Sequence, residues 1–298
     1  MKIIIIGHLG TLGAALMKTF ADLKPIGLDR DELDITAHEK VLAKVSELHP
    51  DLVINAAAYN AVDKCEESEE EFKIANAING YAPGFLAEAC QKIGADFVHY
   101  STDYVFSGEK TEGYAEGDDP DPISNYGASK LLGEKEVMKN TKKYFIIRLS
   151  RLFGPDSKSQ AAKKSFFDSM CDLAKTNQKI KVVNEEVDCF TYAPDLAWAT
   201  RHLTIEDGEL QSRTTKKYAY GIYHIINEGS CTWYEGALEL FKKLGKKIIV
   251  VPVPGNEFPR PARRPAYSVL LNTKFPKLRN WEEALAEYLQ LQCPGEKS

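Results

Sequence analysis

The sequence predicts an α/β protein, a doubly wound parallel sheet followed by a smaller C-terminal α/β region. Three observations predict it. A β-branched run, Ile3 to Ile6, is followed at once by spaced glycines and then by apolar residues at helical spacing, Leu12, Leu16, Phe20 and Leu23. The alternation of short apolar run and amphipathic stretch recurs as far as Leu149, the pattern of parallel strands covered by helices on both faces. With 298 residues, 44% of them hydrophobic, and 13 Phe and 14 Tyr, the chain can bury a substantial core.

Taken in order, Lys2 to Ile6 reads as a strand, Thr11 to Leu23 as a helix, Pro25 to Asp29 as a strand, Ala37 to Leu48 as a helix and Asp51 to Ala57 as a strand. Glu69 to Ile93 is helical, with an interruption expected around Gly80 to Gly84. Asp96 to Ser101 and Lys143 to Leu149 are strands flanking a helix from Ser124 to Asn140. Beyond Arg148 the rhythm changes: helices at Ser165 to Thr176, Pro194 to Leu203 and Trp233 to Leu244 alternate with strands at Ile180 to Val183 and Ile222 to Ile226. Val251 to Pro265 holds five prolines in fifteen residues and reads as an ordered, irregular loop. Residues 1–154 are therefore expected to form a Rossmann-type domain, completed by about 190–228, with 155–189 and 229–298 making the second region.

Composition excludes several classes. A net charge of -5, with basic residues scattered among acids, argues against a nucleic-acid partner. No run approaches the roughly 20 apolar residues that cross a bilayer, and Ile3 to Ile6 is too short for a signal peptide. Cys65, Cys90, Cys171, Cys189, Cys231 and Cys293 show no CxxC pair and read as reduced packing thiols, so a cytoplasmic location is expected.

The chemistry starts at Gly7, Gly10 and Gly13, a GxxGxxG turn between first strand and first helix. Glycine permits the tight turn and the approach of a pyrophosphate to the helix N-terminus around Thr11 and Leu12; an ordinary glycine turn is the bland alternative. Asp29, at the end of the second strand, is placed to hold a ribose hydroxyl and so favours NADH; Arg30 beside it can receive a 2'-phosphate and so favours NADPH, and the sequence leaves the two open. Asp34 and Ile35 fall near the adenine, and Asn55-Ala56-Ala57-Ala58-Tyr59 ends the third strand with small residues that leave room for a cofactor.

Tyr126 and Lys130 stand four residues apart on a helix, which puts phenol and ammonium on one face. A tyrosine of ordinary pKa near ~10 becomes a useful acid when a cation stabilises its phenolate. Thr102, just past the strand Asp96 to Ser101, lies where open parallel sheets bind ligands and can offer a hydroxyl to a substrate carbonyl, or cap its own strand end.

These residues resemble the extended short-chain dehydrogenase/reductase superfamily. Within it, the segments Asn55 to Tyr59, Ala61-Val62-Asp63, Ser101-Thr102-Asp103-Tyr104-Val105-Phe106, Tyr126 to Lys130 with Gly133-Glu134, and Arg264-Pro265-Ala266-Tyr267-Ser268 are similar to the dTDP-4-dehydrorhamnose reductase family, from residue 2 to about 275. The resemblance implies a nucleotide-sugar substrate whose C4 carbonyl is reduced by NADPH or NADH, with Tyr126 supplying the proton, Lys130 poising it, Thr102 orienting the carbonyl, and the second region binding the sugar. It also assigns Val62, Asp103, Tyr104, Arg151 and Arg264 to the substrate. Related 4,6-dehydratases carry Asp-Glu after the threonine; here Asp103 and Tyr104 follow, which leaves elimination without its base. Some relatives bind magnesium between subunits, and a homodimer fits the family, but no magnesium ligands are assigned here.

Two departures bear on the sugar. The family's tryptophan after Arg-Thr-Ser is replaced in Arg148-Leu149-Ser150-Arg151, and its Gly-x-Pro-Thr is replaced by Asp188-Cys189-Phe190-Thr191. The acids Glu66, Glu67, Glu69, Glu70 and Glu71 read as helix N-terminal turns rather than a metal site, and Asp118, Asp119 and Asp121 as a solvated loop. Trp233, Trp281, His99 and His224 read as packing residues, while Arg260 and Arg263 are open between a diphosphate contact and a surface loop. Alternatives to a reductase are a nucleotide-sugar epimerase and a non-catalytic NADP-binding protein that acts on a partner, as the regulatory subunit of methionine adenosyltransferase does.

Overall fold

The computed structural model describes residues 1–155, 164–211 and 217–292, so Cys293 lies outside the described residues. The strands β1 (Ile3–Ile6), β2 (Ile26–Leu28), β3 (Leu52–Asn55), β4 (Asp96–Thr102) and β5 (Tyr144–Leu149) form one sheet. The helices between them are α1 (Thr11–Thr19), α2 (His38–Leu48), α3 (Lys64–Glu67), α4 (Glu69–Ala75), α5 (Ala82–Ile93) and α6 (Asn125–Asn140). Then follow β6 (Leu152–Phe153), α7 (Phe166–Leu173), β7 (Lys179–Val183), β8 (Val187–Cys189), β9 (Thr191–Tyr192) and α8 (Ala193–Thr204). A small hairpin, β10 (Ile205–Glu206) and β11 (Glu209–Leu210), leads to β12 (Gly221–His224), β13 (Ser230–Thr232), α9 (Trp233–Lys243), β14 (Ile249–Val253) and α10 (Trp281–Gln292).

The main sheet has six strands in the order β12-β5-β4-β3-β1-β2, all parallel. The order reverses at β1, so a crevice opens beyond the carboxyl ends of β1 and β3. Alternating residues explain the two layers. Ile3, Ile5, Ile54, Val98 and Ile147 face α1 and α8, whereas Ile4, Ile6, Val53, Phe97 and Ile146 face α2, α5 and α6. Each such side chain, fully buried, contributes roughly 1.5–3 kcal/mol. Side chains of α8, with Leu210, Tyr223 and Ile225, thus join the core of the first 150 residues.

A separate aromatic core gathers Phe153, Phe167, Phe190, Tyr192, Phe241, Trp281 and Tyr288 from α7, α9, α10 and the short strands. Short parallel and antiparallel pairs, β7 with β14 and β8 with β13, frame it. Cys65, Cys90, Cys189 and Cys231 are buried thiols within the cores. Among the described residues no helix is long and apolar enough to cross a membrane, and no cluster of His, Cys, Asp or Glu could hold a metal.

Two local expectations are corrected. The helical stretch from Glu69 is interrupted earlier than Gly80 to Gly84, by a π-helical turn over Asn76–Tyr81, and Gly80 within it admits Leu132 of α6: a Cβ there would lie 2.6 Å from Leu132 Cδ2. The proline-rich stretch begins with a strand. β14 runs parallel to β7 with Pro252 opposite Val182, which an edge strand tolerates because the missing N–H faces outward.

Candidate active site

At the first turn, Gly7 takes φ +74° and its N–H donates to the Leu28 carbonyl at 2.8 Å. A Cβ on Gly13 would sit 2.0 Å from the Gly7 carbonyl oxygen, and one on Gly7 would sit 2.8 Å from the Ala57 nitrogen. Glycine is therefore required for the loop, α1 and the end of β3 to meet. Gly10 occupies the N-cap of α1 with no side-chain cap, so the amides at Thr11, Leu12 and Gly13 are left facing outward as an anion site. Asp29 and Arg30 follow β2; the Arg30 N–H donates to Asp29 Oδ1 at 2.7 Å, and the exposed Arg30 guanidinium has no ion pair among the described residues. Asp34 accepts from both the N–H and the hydroxyl of Thr36, which hold its carboxyl below the usual range, while Ile35 is buried beneath it.

Beyond β3, Ala57, Ala58 and Tyr59 line the crevice edge, half-buried. Asn79, from the π-helical turn, fixes this segment: its Oδ1 accepts the Tyr59 N–H at 2.8 Å, and its Nδ2 donates to the Tyr59 carbonyl at 2.9 Å and to Ser129 Oγ at 3.1 Å. The Tyr59 hydroxyl donates to Glu71, a bond that with burial pushes the phenol up to about 12. Glu66 accepts the Asn125 N–H at 2.6 Å at the start of α6. Two of the five clustered acids thus tie the crevice together, and Glu69, Glu70 and Glu71 occupy the first turn of α4, capped by Ser68.

Thr102 ends β4, and its side chain both accepts the Tyr104 N–H at 3.2 Å and donates to Asp103 Oδ1 at 2.9 Å. The strand-end cap and the cleft position hold together. Tyr126 stands in the first turn of α6, which packs against that strand end because a Cβ on Gly127 would lie 2.1 Å from the Tyr104 carbonyl oxygen. The Tyr126 hydroxyl reaches Asn60 Oδ1 at 3.4 Å; burial, then Asp103, raises its pKa, with Thr102 opposing them. Val62, Tyr59 and Tyr104 pack around the ring.

Lys130, one turn on, is 2% exposed and its Nζ donates to the Tyr100 carbonyl at 2.6 Å. Burial pulls its pKa down to about 8, opposed by Glu134. Among the described residues it makes no hydrogen bond to Tyr126. The structure therefore sets Tyr126 in the helix turn packed on the strand end that carries Thr102, and anchors Lys130 on the backbone of β4.

The remaining candidates are engaged within the chain. Arg264 grips Asp63 with both Nη atoms, at 2.6 and 2.7 Å, joining the proline-rich segment to the Val62 turn. Arg260 pairs with Glu186, which also accepts the Trp233 Nε1–H at 2.9 Å. Arg151 donates to the Cys231 and Glu186 carbonyls, each at 2.8 Å, and lays its guanidinium 3.8 Å from the centre of the Trp233 ring. It does so from a left-handed backbone, φ 40°, a conformation costing a non-glycine residue about 1 kcal/mol. Asp103 is 2% exposed and accepts from Thr102 and, at 2.8 Å, from Ser268.

Asn79 was not singled out from sequence, though the helix interruption could have raised it; Trp233 was read as a packing residue, and Asp188 and Ser268 were named only within segments compared with the family. Glu134 forms a buried bidentate pair with Arg148, at 2.9 and 2.7 Å. His224 is satisfied as expected by Leu271 and Arg148, but among the described residues the His99 ring bonds only Asn55, and its buried Nε2 has no partner there.

A six-stranded parallel sheet with a glycine turn at its reversal point and a tyrosine, lysine and threonine beyond it defines a short-chain dehydrogenase/reductase. The model of the RmlD substrate binding domain family matches residues 1–293, and the chain belongs to that family. It is 35% identical to the spore coat polysaccharide biosynthesis protein SpsK of Bacillus subtilis over 97% of each chain. It is 34% identical to the dTDP-4-dehydrorhamnose reductase of Burkholderia thailandensis over 99% of this chain and 95% of that one. The solved dTDP-4-dehydrorhamnose reductase of Bacillus anthracis, in complex with NADP, superposes with a TM-score of 0.87 at 35% identity over 97% of this chain and 98% of that one. A UDP-glucose 4-epimerase of Thermus thermophilus, in complex with NAD, shares the fold at 19% identity and a TM-score of 0.74.

Proposed function

We propose that the protein reduces the C4 carbonyl of dTDP-4-dehydro-L-rhamnose, or of a closely similar nucleotide sugar, with NADPH. The observation that carries this is the packing of the Tyr126 turn of α6 against the strand end that bears Thr102, in a chain that matches the reductases along nearly its whole length. NADPH supplies the hydride when bound. The amides at Gly10 to Gly13 would hold its pyrophosphate, Asp29 and Arg30 the adenosine ribose and its phosphate, Asp34 and Ile35 the adenine edge, and Ala57, Ala58 and Tyr59 the inner wall. The uncapped α1 N-terminus and the unpaired Arg30 fit that group, and Arg30 favours NADPH over NADH.

Tyr126 Oη delivers a proton to the carbonyl oxygen as that oxygen gains charge. A buried phenol that holds its proton firmly is suited to donate only when an alkoxide forms beside it. Thr102 would orient the carbonyl, and Lys130, anchored on Tyr100, supplies the cation near the site. The aromatic region around Trp233, with the Arg264–Asp63 clamp, would hold the sugar nucleotide. Asp103 and Arg151, turned inward, serve by shaping that wall. A cytoplasmic homodimer is the working form proposed with this activity, to be read by light scattering.

The test is direct. The protein mixed with dTDP-4-dehydro-L-rhamnose and NADPH is expected to consume NADPH and yield dTDP-L-rhamnose; bound NADPH with no oxidation would reject this substrate. An epimerase would interconvert its sugar without net loss of cofactor, and a regulatory protein would bind NADPH without turnover.

A further inference from the structure

Asn55 and His99 stand directly opposite each other on β3 and β4, both fully buried, on the same face of the sheet as Val53 and Phe97. Their side chains meet, with Asn55 Nδ2 3.2 Å from His99 Nδ1. The other end of the amide is committed, because Asn55 Oδ1 accepts the Ala57 N–H at 3.2 Å. Turning the amide over would set its NH2 against the Ala57 N–H, donor to donor, so Nδ2 is the group that faces the imidazole.

His99 Nδ1 must then accept. The ring is thereby neutral with its hydrogen on Nε2, since an imidazolium or the other tautomer would point Nδ1–H at the Asn55 NH2. Burial, then the Lys130 cation, push the imidazole the same way, well below its ordinary pKa range. Nε2 lies beside Gly133 of α6, where a Cβ would come within 3.4 Å, and has no acceptor among the described residues. A histidine kept for packing alone is expected to satisfy both nitrogens; here one is bare and the other is committed to Asn55.

What the amide holds is the end of β3. Ala57 packs so closely on the glycine turn that a Cβ on Gly7 would sit 2.8 Å from its nitrogen and 2.9 Å from its Cα. The Asn55–Ala57 bond thus braces both the crevice edge and the first glycine.

We propose that His99 is a positioning residue for the dinucleotide: Nδ1 locks the Asn55 amide in one orientation, and that amide fixes the Ala57 backbone against Gly7. The inference rests on the NADPH reading above, but neither of its measurements needs turnover. His99→Leu fills the site with an apolar side chain and removes the acceptor. NADPH affinity, by fluorescence titration, is then expected to fall about tenfold, the scale of one hydrogen bond. His99→Asn leaves a larger cavity but offers Oδ1 at the position of Nδ1, and should rescue most of that loss. Equal affinity in the two variants, or weaker binding by the Asn variant, overturns the proposal. If His99→Leu does not fold, His99→Asn against wild type decides: a loss of about tenfold in the Asn variant overturns it.

The tautomer is read directly. In a long-range proton–nitrogen correlation spectrum of the wild-type protein at pH 7, the ring that vanishes in His99→Asn should be neutral with Nε2 protonated. A charged ring, or one protonated on Nδ1, overturns the proposal. Wild type that binds no NADPH overturns the cofactor reading and the positioning role with it, whereas a failed rescue with wild-type binding intact overturns the positioning role alone.

Discussion

At the β1–α1 turn and the end of β2 the shape is made by backbone: glycines that admit no Cβ, an uncapped helix end, and Arg30 with no ion pair among the described residues. Around Arg151 the reverse holds: Arg151 faces Asp188, Arg260 pairs with Glu186 and Arg264 with Asp63, side chains drawn from distant segments. The first arrangement leaves unsatisfied donors for a ligand common to many enzymes, whereas the second commits most of its charges internally and presents a preset wall. On the proposed function, cofactor recognition would fall to short segments between Gly7 and Tyr59, each with a local sequence pattern. Sugar recognition would depend on the assembled tertiary structure.

That contrast can be broken or sharpened by substitution. The largest effect is expected between the two ends: Tyr126→Phe should cut kcat by about 100- to 10,000-fold with NADPH affinity unchanged, measured by steady-state turnover and fluorescence titration. Gly13→Ala comes next. Its methyl would meet the Gly7 carbonyl, and about 1–3 kcal/mol of overpacking should appear as a lower Tm together with NADPH binding weakened at least about tenfold. At the other end, Arg264→Met severs a half-exposed clamp on Asp63 and should raise KM for the sugar about tenfold while sparing NADPH affinity. A loss of NADPH binding in that variant would show that the two ends are not separable.

The smallest effect is in pH. Lys130 titrates near 8 in the folded protein and near 10.4 when unfolded, so the unfolded chain binds more protons between those values and stability rises with pH across the window. Between pH 7 and 9 the gain from this group should be on the order of 1 kcal/mol, seen as the difference in denaturation profiles between wild type and Lys130→Met.

The same contrast explains what could be read beforehand. Gly7, Gly10, Gly13, Thr102, Tyr126 and Lys130 were legible because periodicity places each at a strand end or on a helix face, and their neighbours follow from chain order. The strand Ile249–Val253 was hidden by Pro252, whose place on an edge depends on β7, some seventy residues earlier. Arg151 was expected at the substrate, but its direction is set by Trp233 and by the carbonyls of Glu186 and Cys231, which no local pattern in the sequence reveals.

The π-helical turn at Asn76–Tyr81 has a consequence for any attempt to improve this protein. Such a turn is a one-residue excess in an otherwise ordinary helix, and deleting Ile78 would restore the regular winding. It would also rotate everything upstream by about 100° relative to α5. Glu71 in α4 would then lose register with Tyr59 and the inner wall it braces. A smoother helix would come at the expense of the surface it exists to support.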